Sequence, residues 1–265
     1  MRATGKRSTP DKVDPVSTTR TVDAAEVAQF DRLSDEWWNV KGPMRPLHRL
    51  NPTRIGYIRD QLIAKFGNAA SRSKPLQGLK LLDIGCGAGL LAEPLTHLGA
   101  TVTGIDPGEE TIAAAKRHAD RQGLLIHYRA TTVETLAQES QRFDAVIASE
   151  VIEHVADTAV FVASAIACLA PGGVFLGSTI NRTKRAYAFA ICGAEVVMRW
   201  LPRGTHTWDK FVTPTEFGDL LEHEGLKITD TAGMIYNPLT DSWRLGKDTA
   251  VNYWITAEKP DNGII

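Results

Sequence analysis

Cysteine is scarce in this chain: 265 residues hold three, Cys86, Cys168 and Cys192, widely spaced and never in a C-x-x-C pair. That spacing argues against a disulfide framework or a thiolate zinc site, and for a reducing compartment. Neither sign of charge is in excess, since 30 Lys+Arg against 31 Asp+Glu leave a formal net charge of −1. A phosphate-backbone partner would call for a basic field, so the balance argues against nucleic acid. No apolar run reaches the roughly 18 residues that a membrane span needs. A secretory apolar core is also missing near the N-terminus. Repeats and low-complexity tracts are absent. What is present, 43% hydrophobic and 23% charged residues, is a globular composition with enough apolar mass for a sizeable core.

Residues 1–20, "MRATGKRSTPDKVDPVSTTR", hold almost no large apolar side chains and are expected to form a disordered tail. The tail is basic and Ser/Thr-bearing like a transit peptide, but it lacks an amphipathic apolar face. The rest, 21–265, is expected to be one domain. Residues 21–78 read as N-terminal helices and a linker. Asp23 and Glu26 form a capping-box pattern before Val27, Phe30, Leu33 and Trp37 at helical spacing. A second helix is expected from Pro52 to Phe66, after the proline-punctuated connector "GPMRPLHRLNP".

From residue 79 to 180 strand-like runs ("LKLLDI", "TVTGI", "LIHYRA", "FDAVIAS", "GVFLGSTI") alternate with helical ones. Such alternation predicts β-α-β units and a mainly parallel sheet covered on both faces. Residues 181–210 form an insertion rich in Arg, Lys and aromatics. In 211–265 a helix capped by Thr213 and Glu216 precedes two further strands, near "LKITDTAG" and "AVNYWITAEK". The expected fold is therefore α/β and Rossmann-like, with seven strands and a helical insertion after the fifth.

Two places carry chemistry. "LLDIGCGAGLL" runs a strand into Gly85, Gly87 and Gly89 and then a helix. Glycine permits positive φ and lets a ligand touch the backbone. The spacing G-x-G-x-G differs from the G-x-G-x-x-G of dinucleotide sites. With Asp83 two residues ahead, it resembles the first motif of S-adenosylmethionine-dependent methyltransferases. About twenty residues on, a strand ends at Asp106, a carboxylate placed to accept both ribose hydroxyls of an adenosine. A helix-capping role for Asp106 is the plainer alternative.

The second place is "FDAVIASEVIEHVAD", a strand running into Ser149, Glu150, Glu153 and His154. Ligands of open α/β sheets sit beyond the carboxyl ends of strands, so this turn faces the same crevice. If the turn is helical, 150, 153 and 154 share a face. Two carboxylates and an imidazole there can hold Mg²⁺, or supply a general base and its orienter. They can also merely favour a helix N-terminus.

Beyond these motifs, "DEWWNVKGPMRPLHRLNPTRIGYI", "SEVIEHV", "STINRTKRAYAFAICGAE", "LPRGTHTWDKFVTP" and "GMIYNP" resemble the ubiquinone-biosynthesis O-methyltransferase family over residues 22–259. The resemblance implies that Arg54 pairs with the donor's methionine carboxylate, that Gly85 and Gly87 lie in the donor loop, that Asp106 takes the ribose and that Ser149 lines the pocket. It implies Mg²⁺ on Glu150, Glu153 and His154, with His154 alternatively the catalytic base. The implied acceptors are polyprenylated catechol and quinol rings, a 2-polyprenyl-6-hydroxyphenol and 3-demethylubiquinol. Other enzymes of ubiquinone synthesis are candidate partners; nucleic acid is not.

The insertion at 181–210 surrounds an apolar stretch with Arg182, Lys184, Arg185, Arg199 and Arg203. Two readings fit it: an interfacial helix on an anionic membrane, or a lid packed on the domain. The first makes the protein cytoplasmic and peripherally membrane-associated in a bacterium, or places it at the matrix face of the inner membrane in a eukaryote. A same-fold enzyme for another acceptor, and a non-catalytic lipid-associated scaffold, are the competing functions.

Overall fold

The computed structural model describes residue 22 and residues 24–67, 73–188 and 208–261. Within the described residues, the expected alternation becomes five parallel strands: β1 (Lys80–Ile84), β2 (Thr101–Asp106), β3 (His127–Ala130), β4 (Phe143–Ser149) and β5 (Leu169–Ile180). Three more close the sheet antiparallel: β6 (Lys227–Asn237), β7 (Ser242–Gly246) and β8 (Asn252–Glu258). Their spatial order is β3-β2-β1-β4-β5-β8-β6-β7.

The sheet is thus eight-stranded, not seven-stranded. The strand that sequence reading missed, β7, is five residues long and returns directly from β6 through Asp241, which takes φ 46°.

Helices cover both faces. Connecting the strands are α3 (Ala92–His97), α4 (Glu109–Gln122), α5 (Val133–Gln138) and α6 (Thr158–Ala167). Before them come α1 (Ala24–Asp31) and α2 (Arg45–Phe66); after β5 come α7 (Lys184–Tyr187) and α8 (Pro214–His223). The α8 start has the expected capping box, with Thr213 and Glu216 each satisfying the other's backbone amide. Neighbouring residues of β5 show the sheet's two sides: Leu176 packs in one apolar layer with Leu62 and Trp254, and Phe175 in the other with Phe217 and Tyr253.

Helix α2 begins at Arg45, earlier than expected, and carries Pro52 inside it. Pro46 occupies its first turn, where a missing N–H costs nothing; the two prolines had been read as connector punctuation. The helix is fastened to the sheet by Tyr57, whose hydroxyl bonds Asp230 Oδ2 at 2.8 Å and Thr256 Oγ1 at 2.7 Å. The tail 1–20 and the insertion's expected apolar stretch, 189–207, lie outside the described residues. No helix among those described is long and apolar enough to cross a membrane.

Because β1 continues to β2 on one side and its neighbour β4 to β5 on the other, the connections from these two strands diverge and open a crevice at their carboxyl ends. Tyr57 is one of several side chains that tie α2 to the sheet, with Thr53 on Trp243 O and Gln61 on Asp230. Tyr57→Phe is expected to lower stability by about 1–2 kcal/mol, because buried polar groups lose a partner; chemical denaturation of the two proteins measures it.

Candidate active site

The glycine bend after β1 is built as its sequence demands. Gly85 and Gly87 take φ 66° and 52°. A Cβ on Gly85 would come within 2.5 Å of Val151 Cγ2, and one on Gly87 within 2.3 Å of Trp37 Cη2. Positive φ and lack of space both select glycine. Asp106, at the end of β2, ties the bend to the next loop: Oδ2 accepts the Gly87 amide at 3.2 Å and Oδ1 the Gly108 amide at 2.9 Å. Burial still pushes its carboxyl up to about 6.

Gly85 and Asp106 border a cavity of about 280 Å³ at the carboxyl ends of the strands. Arg54, Gly85, Asp106, Ser149, Glu150, Glu153 and His154 all reach its wall. Gly87 does not. That residue faces Trp37, and its amide donates to Asp106 Oδ2.

One end of the cavity suits an amino acid. Arg54, buried on α2, donates to Asn51 Oδ1 at 2.7 Å and to Ser149 Oγ at 3.4 Å, while its Nε has no hydrogen-bond partner. Asp83 Oδ2, equally buried, has none either. Burial lowers the guanidinium to about 10 and raises the Asp83 carboxyl to about 7. A buried cation and a buried acid, each with an unmet polar atom, fit the carboxylate and ammonium of an α-amino acid. Asp106 beside the bend fits the diol of a ribose. The sequence shows Asp83 only as part of a motif; its burial and unmet oxygen are not visible there.

The acidic turn differs from expectation. Glu150 stands at φ 58°, outside the short 3₁₀ turn Ile152–His154, so 150, 153 and 154 do not share a helix face. Each still borders the cavity, but each is engaged elsewhere. Glu150 accepts from Ser178 Oγ and Asn252 Nδ2, both at 2.9 Å. Glu153 Oε2 accepts from Thr179 Oγ1 at 2.8 Å, and its Oε1 is buried without a partner. His154 Nδ1 donates to Glu26 Oε2 at 2.5 Å. Two carboxylates and an imidazole are suitable donors for a hard divalent ion. As arranged, however, no three His, Cys, Asp or Glu side chains among the described residues are placed to hold one.

Glu26 has partners that sequence spacing does not reveal. The capping box expected with Asp23 lies outside the described residues, because Asp23 does. Glu26 reaches from α1 to His154 and to Lys210 Nζ. Burial opposes its charge, but these two bonds hold its carboxyl below the usual range. Burial opposes charge on His154 as well, yet Glu26, Glu153 and Glu150 together raise the imidazole above its ordinary value.

A glycine bend, an acid placed to suit a diol and a pocket whose polar atoms suit an amino acid, around one crevice, are the features of a methyltransferase that uses an adenosyl sulfonium donor. A family described as "Methyltransferase domain" matches residues 55–231. The ubiquinone biosynthesis O-methyltransferase of Methylobacterium sp. (strain 4-46) is 52% identical over 91% of this chain and 96% of its own. That of Rhodopseudomonas palustris (strain BisB5) is 55% identical over 90% of this chain and 94% of its own. Among solved structures, magnesium protoporphyrin IX methyltransferase from Synechocystis PCC 6803 with bound SAH superposes at a TM-score of 0.60, with 18% identity, over 88% of this chain and 99% of that one. At that identity the likeness establishes the shared fold. The chain belongs to the ubiquinone biosynthesis O-methyltransferase family.

Asp106 must be ionised to accept ribose hydroxyls. S-adenosylhomocysteine affinity is therefore expected to fall in two steps as pH drops, through about 7 as Asp83 protonates and further through about 6 as Asp106 does. Calorimetry from pH 5 to 8 measures this. Asp106→Asn should bind at least about tenfold more weakly and lose the lower step; an unaltered protein without that step would contradict the role.

Proposed function

We propose that this chain transfers methyl from S-adenosylmethionine to the hydroxyls of polyprenylated catechol-type rings, 2-polyprenyl-6-hydroxyphenol and 3-demethylubiquinol. The observation that carries the reading is one cavity with donor-binding groups (Arg54, Gly85, Asp106) on one side and the His154–Glu26 pair on the other. A sulfonium is already activated, so the protein's work is to align the acceptor oxygen with the methyl carbon and to exclude water. The remaining task is a proton. A phenol titrates near 10, by analogy with tyrosine, so a base beside the hydroxyl accelerates attack at neutral pH. His154 supplies it.

The unpartnered Glu153 Oε1 beside Glu150 favours a second reading, in which Glu150, Glu153 and His154 would hold Mg²⁺ after leaving their present partners. A divalent ion there would stabilise the acceptor's oxyanion. A short-chain demethylubiquinol analogue, assayed with S-adenosylmethionine with and without EDTA, tests both. Methylation that survives exhaustive chelation assigns the proton to His154 directly. Activity lost to EDTA and restored by Mg²⁺ assigns the ion. No methylation under either condition, with donor bound, would favour another acceptor or a non-catalytic scaffold.

An acceptor with an isoprenoid tail also supports a peripheral location, with residues 181–210 against an anionic membrane surface. Their basic residues flank an apolar stretch, as an interfacial segment requires. Co-sedimentation with anionic but not neutral vesicles is expected. Arg199→Glu with Arg203→Glu should weaken it by about thirtyfold or more, on roughly 1 kcal/mol per basic residue lost near the surface; unchanged sedimentation would rule out the electrostatic contact.

A further inference from the structure

We infer that Asn51 is a positioning residue of the donor site: held between the Leu90 carbonyl and the Arg54 guanidinium, it aims that cation at the donor's carboxylate without neutralising it. The inference rests on the reading of Arg54 as the partner of that carboxylate. Asn51 and Arg54 stand three residues apart on α2 and so share one face of the helix. Arg54 Nη2 donates to Asn51 Oδ1 at 2.7 Å, and Asn51 Nδ2 donates to Leu90 O at 2.5 Å.

The carbonyl of Leu90 is available for a reason written in the sequence. Where the chain enters α3, the Glu93 amide donates to Gly89 O at 3.0 Å and the Leu95 amide to Leu91 O at 3.1 Å. The same spacing would give Leu90 O the amide of residue 94, which is proline and has no N–H. Leu90 is buried, so its carbonyl needs another donor. The Asn51 side chain supplies one.

These two neighbours fix which way the amide points. A backbone carbonyl only accepts, so the NH₂ faces Leu90; a guanidinium only donates, so Oδ1 faces Arg54. Of the two bonds that hold the guanidinium, the one to Asn51 is the shorter, since Nη1 reaches Ser149 Oγ only at 3.4 Å. Nε has no hydrogen-bond partner among the described residues. The group is therefore restrained from one side and keeps donors for a ligand.

A neutral amide suits this task better than an acid of the same size. An aspartate would set its second oxygen against Leu90 O, lone pair to lone pair. Its charge would also pair with Arg54 in place of the ligand's carboxylate. Two acids, Glu150 and Asp83, already act electrostatically on this buried guanidinium. A third in direct contact would leave little positive charge for a donor.

Two ligands separate positioning from mere tethering: S-adenosylhomocysteine, and its decarboxylated analogue, which keeps the adenosine, the sulfur and the ammonium. Calorimetry at pH 8 keeps Asp83 and Asp106, at about 7 and about 6, ionised. In Asn51→Ala, S-adenosylhomocysteine affinity is expected to fall about tenfold or more, while the analogue stays within about twofold of its affinity for the unaltered protein. Asn51→Asp should lose at least as much, although it keeps an acceptor for Arg54, and should likewise spare the analogue. In an Arg54→Leu background, Asn51→Ala should change S-adenosylhomocysteine affinity by less than about twofold, because nothing remains to be positioned.

A residue that only ties α2 to the segment after the glycine bend would weaken both ligands in parallel, or cost as much with Arg54→Leu as without it. Either result overturns the inference. So does an Asn51→Asp protein that binds S-adenosylhomocysteine as the parent does. If the alanine protein does not fold, Asn51→Asp against the same two ligands carries the test alone. Failure of the underlying reading looks different: the unaltered protein would then bind both ligands equally well.

Discussion

Asp106 holds the reactive end together. One carboxylate, at the end of β2, takes the amide of Gly87 from the bend after β1 and the amide of Gly108 before α4. It thereby sets the distance between two loops that belong to different strands, and keeps the bare backbone at Gly85 open toward the cavity. The arrangement works only because β1 and β2 are parallel neighbours in register, Ile84 opposite Ile105, so that both loops leave the same edge of the sheet. Burial that makes the acid poorly hydrated also makes it eager for hydrogen-bond donors, which a ribose diol supplies.

The rest of the cavity follows the same economy. Arg54 and Asp83 are kept buried as an incompletely satisfied cation and acid, a cost that a bound zwitterion would relieve. A polar chain runs from Arg54 through Ser149 and Ser178 to Glu150 and Asn252, joining the donor side to the acidic turn. Glu150 sits at a positive φ that few non-glycine residues adopt. Strain of this kind persists where surrounding contacts over-determine it, and it clusters at functional sites.

Much of the fold was legible in the sequence because its signals were local and agreed with one another. The run "FDAVIAS" became β4 from Phe143 to Ser149, and the glycine bend and Asp106 fell where strand-end logic put them. What escaped was non-local or violated a local rule. Strand β7 is too short to show period-two alternation against its neighbours. Pro52 sits inside a helix whose packing on the sheet outweighs a lost backbone bond. Glu150, Glu153 and His154 were expected on one helical face, but the positive φ of Glu150 separates it from the turn. Glu26 carried a plausible local role as a cap, and only the tertiary fold brings it to His154.

The central claim is that the cavity between β1, β2 and β4 is the seat of an adenosyl amino acid. Its most direct measurement is a calorimetric titration of S-adenosylhomocysteine into the folded chain at neutral pH, with Arg54→Leu in parallel. One equivalent bound per unaltered chain, and a loss of affinity of about tenfold or more in the variant, is the predicted result. Saturable binding unaffected by Arg54, or no heat from a demonstrably folded protein, would contradict it.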